Sequence, residues 1–196
     1  MRGEKQLMTY TALAFIFLIA MTIITPYLTQ LPTTTPPGSN NTLEEGTKGD
    51  LKYVVVKIYP KIYPLVAKDD IWLGDYPITS GVDKIDLKSF VSGSIINYTI
   101  NSLYVRIVSS YEGVFCSGGG FSCDIYINGN PVFVVSQELP YKNYELEREL
   151  TLDENYQGDS ILIEVYLEAW ARGLSGYAYA QLEEVYIIVT IYYTEG

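Results

Sequence analysis

From residue 51 onward the apolar residues recur with a period of two rather than 3.6, which predicts strands in place of helices. Residues 51–59 (LKYVVVKIY) form the first candidate strand. A tandem repeat, KIYP-KIYP at 57–64, follows it, and its two prolines suit a strand end or an edge because proline has no N–H to give a ladder. Residues 71–73, 85–91 and 95–100 are short candidates between Gly, Asp and Ser turns, and in 103–109 Leu103, Val105 and Ile107 alternate with Tyr104, Arg106 and Val108. Residues 123–127 and 132–135 flank Asn128-Gly129-Asn130-Pro131, where Asn-Gly predicts a hairpin because it tolerates the positive φ of a tight turn. Along 144–152, Glu145, Glu147, Glu149 and Thr151 take one side and Leu146, Leu150 and Leu152 the other. In 161–170, Ile161, Ile163, Val165 and Leu167 share one face, with Glu164, Tyr166 and Glu168 opposite. Residues 177–181 add a further candidate, and 185–193 (VYIIVTIYY) is apolar on both faces, as in a strand at a sheet centre. About eight strands at this spacing predict an all-β fold, a jelly-roll-type antiparallel β-sandwich over residues 49–196. The one ambiguous stretch, 164–172, is assigned to a strand on its β-branched and aromatic residues.

Two other patterns precede the sandwich. Residues 7–25 (LMTYTALAFIFLIAMTIIT) carry no charge, and with Pro26-Tyr27-Leu28 the apolar run is long enough to cross a hydrocarbon core, which takes about 20 residues. Arg2 and Lys5 lie before it and few charges follow closely, so the N-terminus is expected in the cytoplasm and the remainder outside. Residues 1–29 are therefore expected to be a single-pass transmembrane helix or signal anchor, embedded through residues 7–28. Ordinary signal cleavage and prepilin-type processing after Arg2-Gly3 compete with that reading. The first lacks an A-x-A site, and the second has Glu4, Lys5 and Gln6 standing between Gly3 and the apolar run. Residues 30–48, rich in Thr and Pro with no apolar period, are expected to be a stalk that lifts the domain off the membrane. Asn40-Asn41-Thr42 and Asn97-Tyr98-Thr99 fit the N-glycosylation acceptor pattern, so Asn40 and Asn97 are glycosylation candidates in a host that glycosylates.

Composition then narrows the function. The net charge of the 196-residue chain is −10, with no cluster of Lys and Arg, which argues against nucleic acid as a partner. Histidine is absent, so a Ser–His–Asp triad, a Cys–His pair and a His-based metal site are all excluded. The 19 tyrosines suit half-buried strands first and binding faces second. Cys116 and Cys123 bracket Ser117-Gly118-Gly119-Gly120, and in an exported domain a Gly-rich loop would let them form a local disulfide, the other state being two free thiols.

Three constellations remain, each beside a plainer reading. Asp153, Asn155, Gln157 and Glu164, with Gly158 at the turn, approximate an EF-hand calcium loop and would give a structural calcium site; strands flank it in place of helices, and a polar hairpin turn reads equally well. Asp70 and Asp75 beside Trp72 form a candidate ligand-binding ledge, and Trp170 near Arg172-Gly173 a second; either Trp also suits a core position. No pair of carboxylates is marked out for glycosidase chemistry, and no enzyme is expected.

The hairpin stretch 124–133 (DIYINGNPVF) resembles the strand–Asn-Gly–strand hairpin of galactose-binding-like jelly rolls, and 144–167 (YELERELTLDENYQGDSILIEVYL) is similar to their next segment. The likeness covers about residues 104–193. It implies the fold, and with it carbohydrate binding, while no sugar-binding residue set carries over. High Ile, Val and Tyr, no His and Pro-rich spacing resemble surface proteins of heat-adapted archaea. The expected function is thus a non-enzymatic, membrane-anchored surface protein with a structural or adhesive role, such as a subunit of an appendage, filament or coat. Its partners would be further copies, other surface proteins or glycans. A membrane-tethered carbohydrate-binding module and a virion surface protein are the alternatives.

Overall fold

In a computed structural model of the chain, residues 38–62, 65–70, 78–113 and 116–195 are described. They contain β1 (Asn41–Lys48), β2 (Leu51–Ile58), β3 (Leu65–Asp70), β4 (Thr79–Asp86), β5 (Ser94–Glu112), β6 (Cys116–Ile127), β7 (Asn130–Glu138), β8 (Asn143–Tyr156), β9 (Ser160–Gly173) and β10 (Tyr177–Thr194). All pairings are antiparallel. One sheet has the order β1-β2-β10-β5-β8, with β3 also on β10, and the other the order β4-β9-β6-β7. Strands β2 and β3 lie end to end along one side of β10: β2 pairs with its residues 187–193 and β3 with 177–182. The break between them falls in the KIYP repeat, and Pro60 stands just past the end of β2.

The alternation read in the sequence is the alternation of core and solvent. Val54, Val56 and Ile58 of β2, Leu103, Val105 and Ile107 of β5, and Val185, Ile187, Val189 and Ile191 of β10 point inward from the larger sheet. Phe121, Cys123, Ile125 and Ile127 of β6 and the odd-numbered residues from Ile161 to Ala171 of β9 meet them from the smaller one. Each fully buried large side chain contributes about 1.5–3 kcal/mol of transfer free energy, so this two-sided set is what holds the sheets together. The central position expected for 185–193 is the one β10 occupies.

A buried and a half-buried polar side chain fix corners. Asp69, 2% exposed at the end of β3, accepts a hydrogen bond from the Ala171 amide of β9 at 2.7 Å, tying the larger sheet to the smaller beyond the end of the β4–β9 ladder. At the far end, Asn128 (φ 52°) and Gly129 (φ 81°) make the two-residue β6–β7 turn. Only glycine and a few polar residues take that positive φ without strain. The Asn128 side chain donates to the Tyr98 hydroxyl at 2.8 Å and accepts from the Leu162 amide at 3.0 Å, while Tyr98 donates to the Ser160 carbonyl.

Several expectations are corrected. Residues 95–100 and 103–109 belong to one strand, β5, with an irregularity at Asn101; 177–181 and 185–193 likewise belong to β10, with an irregularity between Leu182 and Glu184. The strand expected at 85–91 sits earlier, at Thr79–Asp86, because the Asp86 side chain accepts from the Lys88 amide and caps a 3-10 turn at Leu87–Phe90. The expected stalk, 30–48, contains β1 in its last eight residues, paired in register with β2. Residues 71–73 and the anchor at 1–29 lie outside the described residues. Among the described residues no helix is long and apolar enough to cross a membrane.

The expected disulfide is overturned: Cys116 and Cys123 are free thiols. Both lie on β6, and the glycines between them are strand rather than loop. Seven residues of extended chain separate their Cα atoms by on the order of 20 Å, far beyond the ~7 Å limit for a disulfide. Cys123 faces the core, where burial, with a smaller contribution from Asp124, pushes its thiol up to about 12.

Candidate binding face

The outward side chains of the smaller sheet form rows across its strands, set by register. Ser80, Tyr166, Asp124 and Val134 make one row, and Val82, Glu164, Tyr126 and Pro131 the next. On the other side come Glu168, Ser122 and Ser136, then Trp170, Gly120 and Glu138. Strand β4 begins at Thr79, opposite Leu167, so the Trp170 row has no β4 member. A face mostly of charge would be ordinary for an exposed sheet. This one leaves Val134 66%, Val82 57% and Tyr166 38% exposed. Exposed apolar residues that share one sheet face offer a partner more contact area than residues scattered singly over a surface.

Trp170 depends on its neighbour. A Cβ built on Gly120 would lie 2.2 Å from Trp170 Cζ2 and 2.6 Å from the Gln137 carbonyl oxygen, so the indole lies over the glycine and toward β7. Gly120 clears room for this packing, while a Cβ on Gly119 would meet Tyr111 at 2.8 Å. Around it, Ser122 donates to Glu168 at 3.1 Å, Arg172 pairs with Glu138 at 2.7 Å, and Tyr126 meets Tyr166 edge to face at 5.9 Å. The arrangement offers aromatic planes beside carboxylates and a hydroxyl, chemistry suited to stacking and hydrogen bonding rather than to proton transfer.

The outer face of the larger sheet is built differently. Tyr104 stacks on Tyr186 (4.7 Å, 10°), Tyr59 tilts against Tyr186 at 5.5 Å, and the Lys57 ammonium sits 3.5 Å from the Tyr186 ring centre. Burial, aided by a hydrogen bond to Glu147, pushes the Tyr104 phenol up to about 12. Burial also raises Tyr186, opposed by the Lys57 charge. Arg106 pairs with Glu145 at 2.6 Å and Glu183 at 3.4 Å. These groups answer one another. A shallow depression at the end of the smaller sheet, lined by Lys84, Asp86, Lys88, Asp159 and Ser160, is likewise occupied by its own Lys88–Asp159 ion pair.

Of the residues singled out in the sequence, Trp170 and Glu164 fall on the candidate face, at opposite ends of it. Asp70 ends β3, in the other sheet, while Trp72 and Asp75 lie outside the described residues. The calcium set is divided. Asp153 and Asn155 are on β8 of the larger sheet, Gln157 is in the connection, and Glu164 is on the outer face of the smaller sheet. The segment is a crossing between sheets rather than a hairpin turn, and Asn155 accepts a hydrogen bond from the Thr99 hydroxyl at 2.6 Å. Among the described residues no three acidic or Cys side chains gather as a metal site. Asn40 is exposed and its side-chain oxygen accepts from the Tyr59 amide at 2.8 Å; Asn97 is half-buried on β5, opposite Tyr192. Tyr126, Val82 and Val134 were not singled out. Alternation marked β9's outward residues, but which β6, β7 and β4 residues stand beside them is a matter of register.

No protein-family model and no curated protein sequence matches the chain. It is similar in structure to dimeric latent PorU from Porphyromonas gingivalis, at 13% identity and a TM-score of 0.37, over 82% of this chain and 14% of that one. It is also similar to TmCBM61 in complex with β-1,4-galactotriose, at 11% identity and a TM-score of 0.32, over 79% of this chain and 88% of that one. A third likeness is to infectious bursal disease virus Gx strain, at 12% identity and a TM-score of 0.30, over 85% of this chain and 51% of that one. Each of these likenesses is weak.

Proposed function

We propose that this chain is a non-enzymatic surface protein with a structural or adhesive role, held at a membrane by residues 7–28 and working through its β-sandwich. The observation that carries the reading is the apolar and aromatic outer surface of β4-β9-β6-β7, with Val82, Val134 and Tyr166 exposed and Trp170 half-buried on the same face, on a chain of net charge −10. A surface of that kind is suited to a macromolecular partner. The winding supports a jelly roll: apart from β1–β2, β2–β3 and the β6–β7 hairpin, every connection passes from one sheet to the other.

The test is fractionation of cells expressing the full chain with a C-terminal epitope. Retention in carbonate-washed membranes and loss of the epitope on protease treatment of intact cells are expected; recovery in the soluble fraction would sink the reading. N-terminal sequencing of the same material separates an anchor (Met1 or Arg2 first) from a processed filament subunit (Glu4 first).

The second reading is a membrane-tethered carbohydrate-binding module. It is favoured by Trp170 over Gly120, beside the Ser122–Glu168 pair. Glycan-array signals abolished by Trp170→Ala would support it, and the absence of any signal from the wild-type chain would count against it.

A further inference from the structure

Each sheet of an open sandwich ends in strands with one unpaired edge, and proteins guard such edges with charge, proline or bulges. Among the described residues five strands have an unpaired edge, and four of them are guarded by charge. β8 carries Glu145, Glu147, Arg148, Glu149, Asp153 and Glu154, β1 carries Glu44, Glu45 and Lys48, β3 carries Lys68, Asp69 and Asp70, and β4 carries Asp83, Lys84 and Asp86. β7 differs. From Asn130 to Gln137 (NPVFVVSQ) it has no charge, and its far side has no strand partner among the described residues. Its guards are confined to its start, where Pro131 and an irregularity opposite Ile125/Tyr126 leave the stretch from Phe133 on regular.

We infer that β7 is a pairing edge for β7 of a second copy, joining two four-stranded sheets into one of eight across a two-fold axis at Val134. The sequence of the strand argues for this occupant. In an antiparallel pair centred on Val134, residue numbers of partners sum to a constant. Val134 then meets itself and Val135 meets Phe133 in the regular part of the strand, while Ser136, Gln137 and Glu138 face the irregular start at Asn130–Val132. The central rungs are apolar, and the two Glu138 carboxylates are held at opposite ends, each opposite a neutral Asn130 and already paired with its own Arg172. The same operation on β8 would put carboxylates among carboxylates: centred on Glu147, it sets Glu145 against Glu149. Self-pairing gives the isologous contact that two-fold dimers use. The contact is short, so it is suited to chains concentrated on one surface, as tethered neighbours are. To that extent it rests on the proposed surface location.

The test uses the full chain in detergent micelles, each variant at matched concentration. A Val134→Cys variant, in a Cys116→Ser background, should form a disulfide-linked dimer under mild oxidation. Val82→Cys, on the same face but at the opposite edge, should not. Val134→Lys places like charges directly opposite and should weaken the dimer, read by light scattering, by at least about tenfold, while Val82→Lys leaves it unchanged. Both positions are exposed, so neither change disturbs the core. Equal cross-linking at Val134 and Val82, or a wild-type chain that stays monomeric, would overturn the inference. Those failures are separable from failure of the surface reading. A monomeric chain retained in washed membranes overturns only the edge pairing, and a soluble chain that cross-links through Val134 overturns only the anchor.

Discussion

The two outer faces of the sandwich are both rich in aromatic residues, yet they use them in opposite ways. On the larger sheet Tyr59, Tyr186 and Tyr104 lean on one another under Lys57, and the neighbouring Arg106, Glu145 and Glu183 pair among themselves. Such a face has answered its own polar and aromatic demands and has little left for a partner. On the smaller sheet Trp170 lies over a glycine, Tyr166 touches a single ring, and Val82 and Val134 touch mostly water. The difference teaches that aromatic content alone does not mark a binding surface. What marks it is whether the rings are already spent on each other.

The sharpest way to break the comparison is through the glycines beneath each face. Gly120→Ala would push a methyl to within 2.6 Å of the Gln137 carbonyl as well as into the Trp170 indole, and backbone in a sheet cannot retreat. We expect a loss of about 2 kcal/mol, a Tm lower by roughly 4–8 °C. Gly46→Ala on β1 meets only the Tyr53 ring, at 2.6 Å, whose phenol end can swing into solvent. Its Tm should move by less than about 2 °C. Thermal denaturation of the two variants side by side decides this; equal shifts would mean Trp170 is as free to move as Tyr53.

That glycine is also where reading from sequence ran out. Alternation exposed the inward sets of β8 and β9 because one face of each is buried and the period is two. It split β5 and β10, because a bulge at Asn101 and another near Glu183 shift the alternation by one residue. Gly118-Gly119-Gly120 reads as a loop by composition, and so made a disulfide between Cys116 and Cys123 look reachable. The reason for Gly120, room for Trp170 on the next strand, exists only once Gly120 is known to stand opposite Trp170. The same holds for the candidate face. Glu164, Tyr166 and Glu168 were legible as outward-facing, but Asp124, Val134 and Val82 join them only through register. The calcium set shows the same limit: spacing along the chain says nothing of a crossover that sends Asp153 and Glu164 to different sheets.

A second comparison sets tyrosine against tyrosine. Tyr186→Ala removes two ring contacts and the cation beneath which the ring sits, worth about 1–2 kcal/mol together. Tyr166→Ala removes one edge-to-face contact from a more exposed ring, for roughly 0.5 kcal/mol. Urea midpoints would order them. If Tyr166 proved the costlier, the smaller sheet's aromatics would be structural after all.

The smallest effect lies in alkaline solution. The Tyr104 phenol is held up to about 12, first by burial and then by its hydrogen bond to Glu147, against an ordinary value near 10. Between those values the unfolded chain has released this proton and the folded chain has kept it, so the unfolded state binds fewer protons and stability falls as pH rises. The contribution is fully present below about pH 10 and is lost as the pH climbs through about 12. Tyr156, held up to about 12 by burial and by Glu154, adds a slope of the same sign. Tyr104→Phe removes one of the two, so its stability should fall less steeply across that window. An ultraviolet titration of its folded form should show one fewer late-ionising phenol. An unchanged titration curve would place the Tyr104 hydroxyl in open water and undo the claim that this face has satisfied itself.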